Sequence, residues 1–157
     1  QAFQLKSRLQ HYQDRRYGEF GSNWNAMRCV LEEKFKDPTC RGLLRRTGGA
    51  FLLEHNSVCG RDQIWSDNHD GSGTNWLGIQ LMLLRDRLYP PDDPAGGWGT
   101  FIGSLVDPKS GAPRDQPAQR RWQEVVQGAT SATREAVRRH GGAHGAGDDG
   151  PAAARGA

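Results

Sequence analysis

Glu54 directly follows the apolar run Phe51-Leu52-Leu53, Asp62 stands eight residues further on, and Trp65 lies in the polar stretch just beyond. Two carboxylates near an aromatic ring are the side chains from which an acid/base site with a stacking platform is made. Each also has a plainer reading: Glu54 as a solvated charge at a strand end, Asp62 as a turn residue or partner of Arg61, Trp65 as a core anchor. Downstream, Gly73-Thr74-Asn75-Trp76-Leu77-Gly78 looks like a glycine-rich loop entering a helix N-terminus, where free amides and the dipole favour anions. It fits neither the dinucleotide nor the Walker pattern. An Asn cap, with glycine allowing close helix packing, accounts for it equally well.

These residues need elements to position them. Phe3, Leu5, Leu9 and Tyr12 give a loose helical spacing over residues 1–17. From Ser22, the spacing of Trp24, Met27, Val30, Leu31 and Phe35 predicts an amphipathic helix capped by Ser22 or Asn23. Asp37-Pro38 reads as a cap and first-turn proline opening a short helix that buries Leu43 and Leu44 and stops at Gly48-Gly49. Phe51 to Leu53 is a strand or extended segment delivering Glu54, and residues 59–74 form a loop. The run from Trp76 to Leu88, apolar almost all round, predicts the central, buried helix. Residues 91–114, rich in Gly, Pro and Asp, read as a loop or linker. An amphipathic helix follows over 115–140, with Trp122, Val125, Val126, Ala129, Ala136 and Val137 on one face, and 141–157 reads as a disordered tail.

Composition narrows the function classes. Residues 1–88 hold 13 Lys/Arg against 10 Asp/Glu, and residues 89–157 hold 8 against 8, so the basic excess lies on the motif-bearing part. That suits a phosphate-bearing ligand but is too small to argue a nucleic-acid groove by itself. Cys29, Cys40 and Cys59 are odd in number, show no Cys-x-x-Cys spacing and have no histidine placed to complete a zinc site, so neither disulfide framework nor metal is expected. No apolar stretch reaches the ~20 residues that span a bilayer. A soluble protein of the cytoplasm is the expectation.

Trp24 with Met27, Lys34-Phe35, Leu44, Thr47-Gly48, Leu53-Glu54, Asp62 and Trp65, then Gly73-x-Asn75-x-Leu77-Gly78-x-x-Leu81-Met82-x-x-Arg85, resemble the NADAR family of YbiA-like N-glycosidases in order and spacing. The resemblance covers roughly residues 1–88, and the last block is its most specific part. It implies a mainly α, YbiA-like orthogonal helical domain with at most a few short strands over residues 1–90, plus a C-terminal extension. Two departures stand out. The N-terminal block that normally supplies a Phe-Ser-Asn-like strand and an acidic residue is absent, so the sequence reads as a fragment. After Trp65, Ser66-Asp67-Asn68-His69-Asp70 intervenes before Gly71 where the family usually has glycine.

The resemblance implies hydrolysis of a bond between ribose C1 and a base nitrogen. The substrate would be ADP-ribosyl guanine in DNA or RNA, or a phosphorylated riboflavin-pathway intermediate, and no cofactor or metal is called for. Such a reaction passes through an oxocarbenium-like state that needs a carboxylate beside C1 and an acid at the leaving base. By the same resemblance Lys6 is the candidate nucleophile, able as a neutral amine to form an imine at C1, with Glu54 and Asp62 as acid/base or sugar-orienting carboxylates. Trp65 would stack on base or ribose, Gly73, Thr74 and Asn75 would hold a hydroxyl or phosphate oxygen, and Arg85 is a phosphate partner or a structural salt bridge. A non-catalytic ADP-ribose or nucleotide-binding module of the same fold is the main alternative. A purely structural helical domain leaves Glu54, Asp62 and Asn75 unexplained.

Overall fold

The computed structural model describes residues 14, 16–93 and 96–141. The expected helix over residues 1–17, with Lys6 on it, and the expected tail lie almost entirely outside them.

The architecture is mainly helical, as expected, with five α-helices and no strand among the described residues: α1 Asn23–Lys34, α2 Pro38–Arg46, α3 Trp76–Leu88, α4 Trp98–Leu105 and α5 Gln116–Gly141. Local chemistry explains the starts. The Ser22 hydroxyl accepts from Asn25 N–H and the Asp37 carboxylate from Cys40 N–H, each satisfying an amide that the first turn leaves without a partner. Asp115 does the same at α5, accepting from Ala118 N–H at 2.7 Å.

Helix α3 is the centre, packed against α1, α2 and α4. Ile79 and Met82 meet Trp24 of α1, Ile102 and Leu105 of α4, and Ala118, Trp122 and Val126 of α5 in the main core. A smaller cluster joins Leu84 to Leu31 of α1 and Leu44 of α2. Phe51, Leu52 and Leu53 pack on the main core as irregular backbone, not as a strand, because no second segment among the described residues offers them a ladder.

Residues 91–114 do not form only a loop: α4 stands within them. Trp98, Phe101, Ile102 and Leu105 follow helical spacing and cover α3, but Gly97, Gly99 and Gly103 interrupt the pattern and mask it in the sequence. Gly99 N–H donates to the Asp86 carboxylate at 2.7 Å, tying the first turn of α4 to α3.

Candidate active site

The segment carrying Glu54 runs beside the N-terminus of α3 and is held there chiefly by Asn75, with Met82 Sδ accepting the Leu52 N–H at 3.4 Å. Asn75, wholly buried and in the left-handed conformation (φ 53°), accepts the Glu54 N–H on Oδ1 at 2.9 Å and donates from Nδ2 to the Leu52 carbonyl at 2.9 Å. Its amide acts as a one-residue substitute for a neighbouring strand, the partner this extended backbone lacks. Gly78 makes the approach possible, since a Cβ there would collide with the Leu52 carbonyl oxygen and the Asn75 amide. From the other side, Asp67 N–H donates to the Glu54 carbonyl at 2.8 Å. The backbone of Glu54 is therefore fixed at both polar groups while its side chain is exposed at a cleft of about 580 Å³, lined also by Lys34, Phe35, Thr47, Leu53 and Thr133. Among the described residues lining that cleft, Glu54 is the sole carboxylate.

The other expected residues are placed as follows. Asp62 turns its carboxylate onto its own loop, accepting Trp65 N–H at 2.9 Å and Ile64 N–H at 3.1 Å. Trp65 is half-buried and stands edge-on to Trp76 at 5.6 Å. Thr74 donates its hydroxyl to the Gln63 and Ile64 carbonyls. Gly73 is buried against the backbone of Ser66 to Asn68, where a Cβ would not fit. The first amides of α3 are already taken, Trp76 N–H by Ile64 C=O at 3.0 Å and Leu77 N–H by Trp65 C=O at 3.2 Å. Residues 73–75 thus bind loop 62–66 to the helix, and the first two amide donors of this helix start are spent internally.

Arg85, only 3% exposed, donates from Nη1 to the Thr47 hydroxyl at 2.7 Å and keeps the Asp86 carboxylate 3.9 Å from Nε, while Nη2 has no partner. Burial pulls its pKa below the usual guanidinium value, and the Asp86 charge opposes this. It faces a separate, smaller cavity of about 230 Å³ beside Arg45, Gly48, Gly49 and Trp98. Glu54 and Asn75 are thus brought together directly, Asp62 and Trp65 lie on the adjoining loop, and Arg85 lies apart.

Two residues that the sequence reading passed over belong to the site. Asp67, fully buried, accepts from Asn56 N–H (3.0 Å), His69 N–H (2.9 Å), His55 Nδ1 (2.6 Å) and the Thr130 hydroxyl of α5 (3.0 Å). Burial pushes its carboxyl upward, but these four donors together outweigh burial and hold it below the usual carboxylate range. An ionised acceptor at Nδ1 fixes the tautomer of His55, so Nε2 is the ring atom left for solvent or a ligand. The available signal was a histidine next to Glu54 and an aspartate two residues after Trp65. A polar run such as Ser66-Asp67-Asn68 reads as an exposed loop, yet all three are buried.

Cys29, Cys40 and Cys59 are free thiols, and no group of three His, Cys, Asp or Glu side chains among the described residues could hold a metal ion. No described helix is long and apolar enough to cross a membrane.

No family model matches the chain, and no solved structure matches it. Among curated proteins it is 39% identical over 72 residues to the N-glycosidases YbiA of Shigella boydii and Escherichia coli, covering 42% of this chain and 43% of each relative. It is 37% identical over 90 residues to a riboflavin biosynthesis protein of Vibrio vulnificus, covering 56% of this chain and 23% of that one. These matches bear out the resemblance to YbiA-like, NADAR-type proteins. The chain spans less than half the length of these relatives.

Proposed function

We propose that this chain carries part of an N-glycosidase site that hydrolyses the bond between a ribose C1 and a base nitrogen. The observation that carries the reading is the placement of Glu54: its backbone is clamped by Asn75 and Asp67, and its carboxylate, without an ion pair among the described residues, lines a large cleft. A rigid backbone under a carboxylate that lines a cleft is what stabilisation of an oxocarbenium-like centre requires, because the charge is in place before the reaction begins. The names of the similar N-glycosidases support the same reading.

In the mechanism we favour, the base leaves C1 with a proton and the Lys6 amine bonds to C1. The ribose ring opens to an imine as the second amine proton passes to the ring oxygen, and water then releases the sugar and restores the amine. Glu54 faces C1, Asp62 orders the turn that presents Trp65, and Trp65 offers a face to base or ribose. Asn75 with Gly73 and Thr74 acts by fixing Glu54 and the loop, and Arg85, apart from the Glu54 cleft, is a structural partner of Thr47 and Asp86 or a contact for a second phosphate. The proposed substrate is ADP-ribose on guanine in nucleic acid or a phosphorylated riboflavin-pathway intermediate.

The alternative of a non-cleaving nucleotide-binding module draws on one observation, that the Asp62 carboxylate is occupied by backbone amides. Incubation with guanine-linked ADP-ribose in a short oligonucleotide, and separately with a phosphorylated ribosylaminopyrimidine, decides between them by mass spectrometry. The glycosidase releases ADP-ribose from the oligonucleotide, or free base and sugar phosphate from the pyrimidine compound. A binding module holds ADP-ribose saturably and releases nothing.

A further inference from the structure

The C-terminal helix does more than close the core. Along α5, Thr130 donates to Asp67, Thr133 borders the Glu54 cleft, and Ser131, Thr133, Arg134 and Arg138 line a second cleft of about 570 Å³ whose opposite wall is His55 and His69. Thr133 borders both clefts, so the two meet at this helix. Positions 130, 131, 134 and 138 share one helical face, which is why the turn that seats on Asp67 also brings both arginines to the second cleft.

The chemistry of this cleft is one-sided. It offers two guanidinium groups, two imidazoles and two hydroxyls, and no carboxylate is among the described residues that line it. The neighbouring Glu135 is paired with Arg139, whereas neither Arg134 nor Arg138 has an ion pair among the described residues. Asp67 binds His55 through Nδ1, its charge absorbed by four donors, which leaves Nε2 as the ring nitrogen for a ligand.

We propose that this cleft binds the phosphate of a ribosyl substrate, with Arg134 and Arg138 as charge-assisted donors and His55 Nε2 as a third contact. Helix α5 is then a specificity element. It lies beyond residues 1–88, the part that carries the resemblance to the N-glycosidases, so the two arginines stand outside that part while His55 stands within it. The inference rests on the glycosidase reading for the ribosyl part of the ligand, and the phosphate contact is testable without turnover.

The experiment is calorimetric titration of the full chain with ribose 5-phosphate, ADP-ribose and unphosphorylated ribose, in the wild type and in the Arg134→Ala/Arg138→Ala variant. Both arginines are exposed, and circular dichroism verifies that the variant stays folded. The expected result is phosphate-dependent binding that weakens at least about tenfold in the variant, the scale of one lost charge-assisted hydrogen bond, and that also weakens with added salt. A terminal phosphate as the natural group favours ribose 5-phosphate, and an internal diphosphate favours ADP-ribose. Wild-type affinity that is the same for ribose and its phosphate, or unchanged in the variant, overturns the inference. Turnover of guanine-linked ADP-ribose, measured in parallel, separates the two levels: arginine-dependent binding without any turnover in the wild type sinks the glycosidase reading alone, and turnover that ignores the arginines sinks this inference alone.

Discussion

At the scale of the residue, the site depends on polar side chains that spend their hydrogen bonds on backbone. Asn75→Ala leaves the Glu54 N–H and the Leu52 carbonyl without their partner. It should cost about 1–3 kcal/mol for each group left buried and unsatisfied, measured by urea unfolding, and should lower turnover even though Asn75 is buried. Asp67 makes a prediction in pH. Its folded pKa is depressed, so its contribution to stability is present above the ordinary carboxylate value of about 3.9 and is lost as pH falls through the lower folded value. Asp67→Asn should therefore flatten the acid limb of the stability profile and leave the protein less stable near neutrality, which thermal melts from acid to neutral pH check. Glu54, Asp62 and Asn75 stood out in the sequence because their types and spacing are unusual for packing. That Asn75 holds Glu54 was not legible there, since the contact joins residues 21 apart and depends on the left-handed turn at Asn75.

At the scale of the element, the glycines of the helices divide into two kinds. In mid-helix, alanine is worth about 0.5–1 kcal/mol more than glycine. Gly128 on α5 has open space where a Cβ would stand, with nothing within 4 Å, so Gly128→Ala should raise stability by about that amount. Gly78→Ala should do the reverse, because its Cβ meets the Leu52 carbonyl and the Asn75 amide. Opposite signs from one substitution at two helical sites, read as melting temperatures, would show that α3 is shaped to admit the Glu54 segment. Helices α1 and α2 were readable from their caps and spacing, and α3 and α5 from their apolar patterns. Leu43 of α2 and Val137 of α5, expected on the packed faces, are nevertheless exposed, because α2 buries only its Leu44 side and the core ends before the last turns of α5. Helix α4 was not, because glycine at three positions conceals a face made of Trp98, Phe101, Ile102 and Leu105.

At the scale of the whole molecule, α4 and α5 complete the core around α3, so the part beyond residue 88 is integral to it. Ile102, fully buried, meets the core between α3 and α5. Its replacement by Ala should destabilise by about 2–5 kcal/mol in chemical unfolding. The amphipathic pattern of α5 was plain in the sequence. That its polar face closes over the candidate site was not, because the Thr130–Asp67 contact spans 63 residues.

If Glu54, fixed in its backbone and with its carboxylate lining the cleft, carries the glycosidic chemistry, its amide counterpart should bind but not cleave. The decisive quantity is the single-turnover rate of ADP-ribose release from guanine-linked ADP-ribose by the wild type and by Glu54→Gln, with ADP-ribose affinity measured in parallel. A fall of about 100-fold or more in rate, with affinity nearly unchanged, is expected. Equal rates in the two proteins would contradict the assignment.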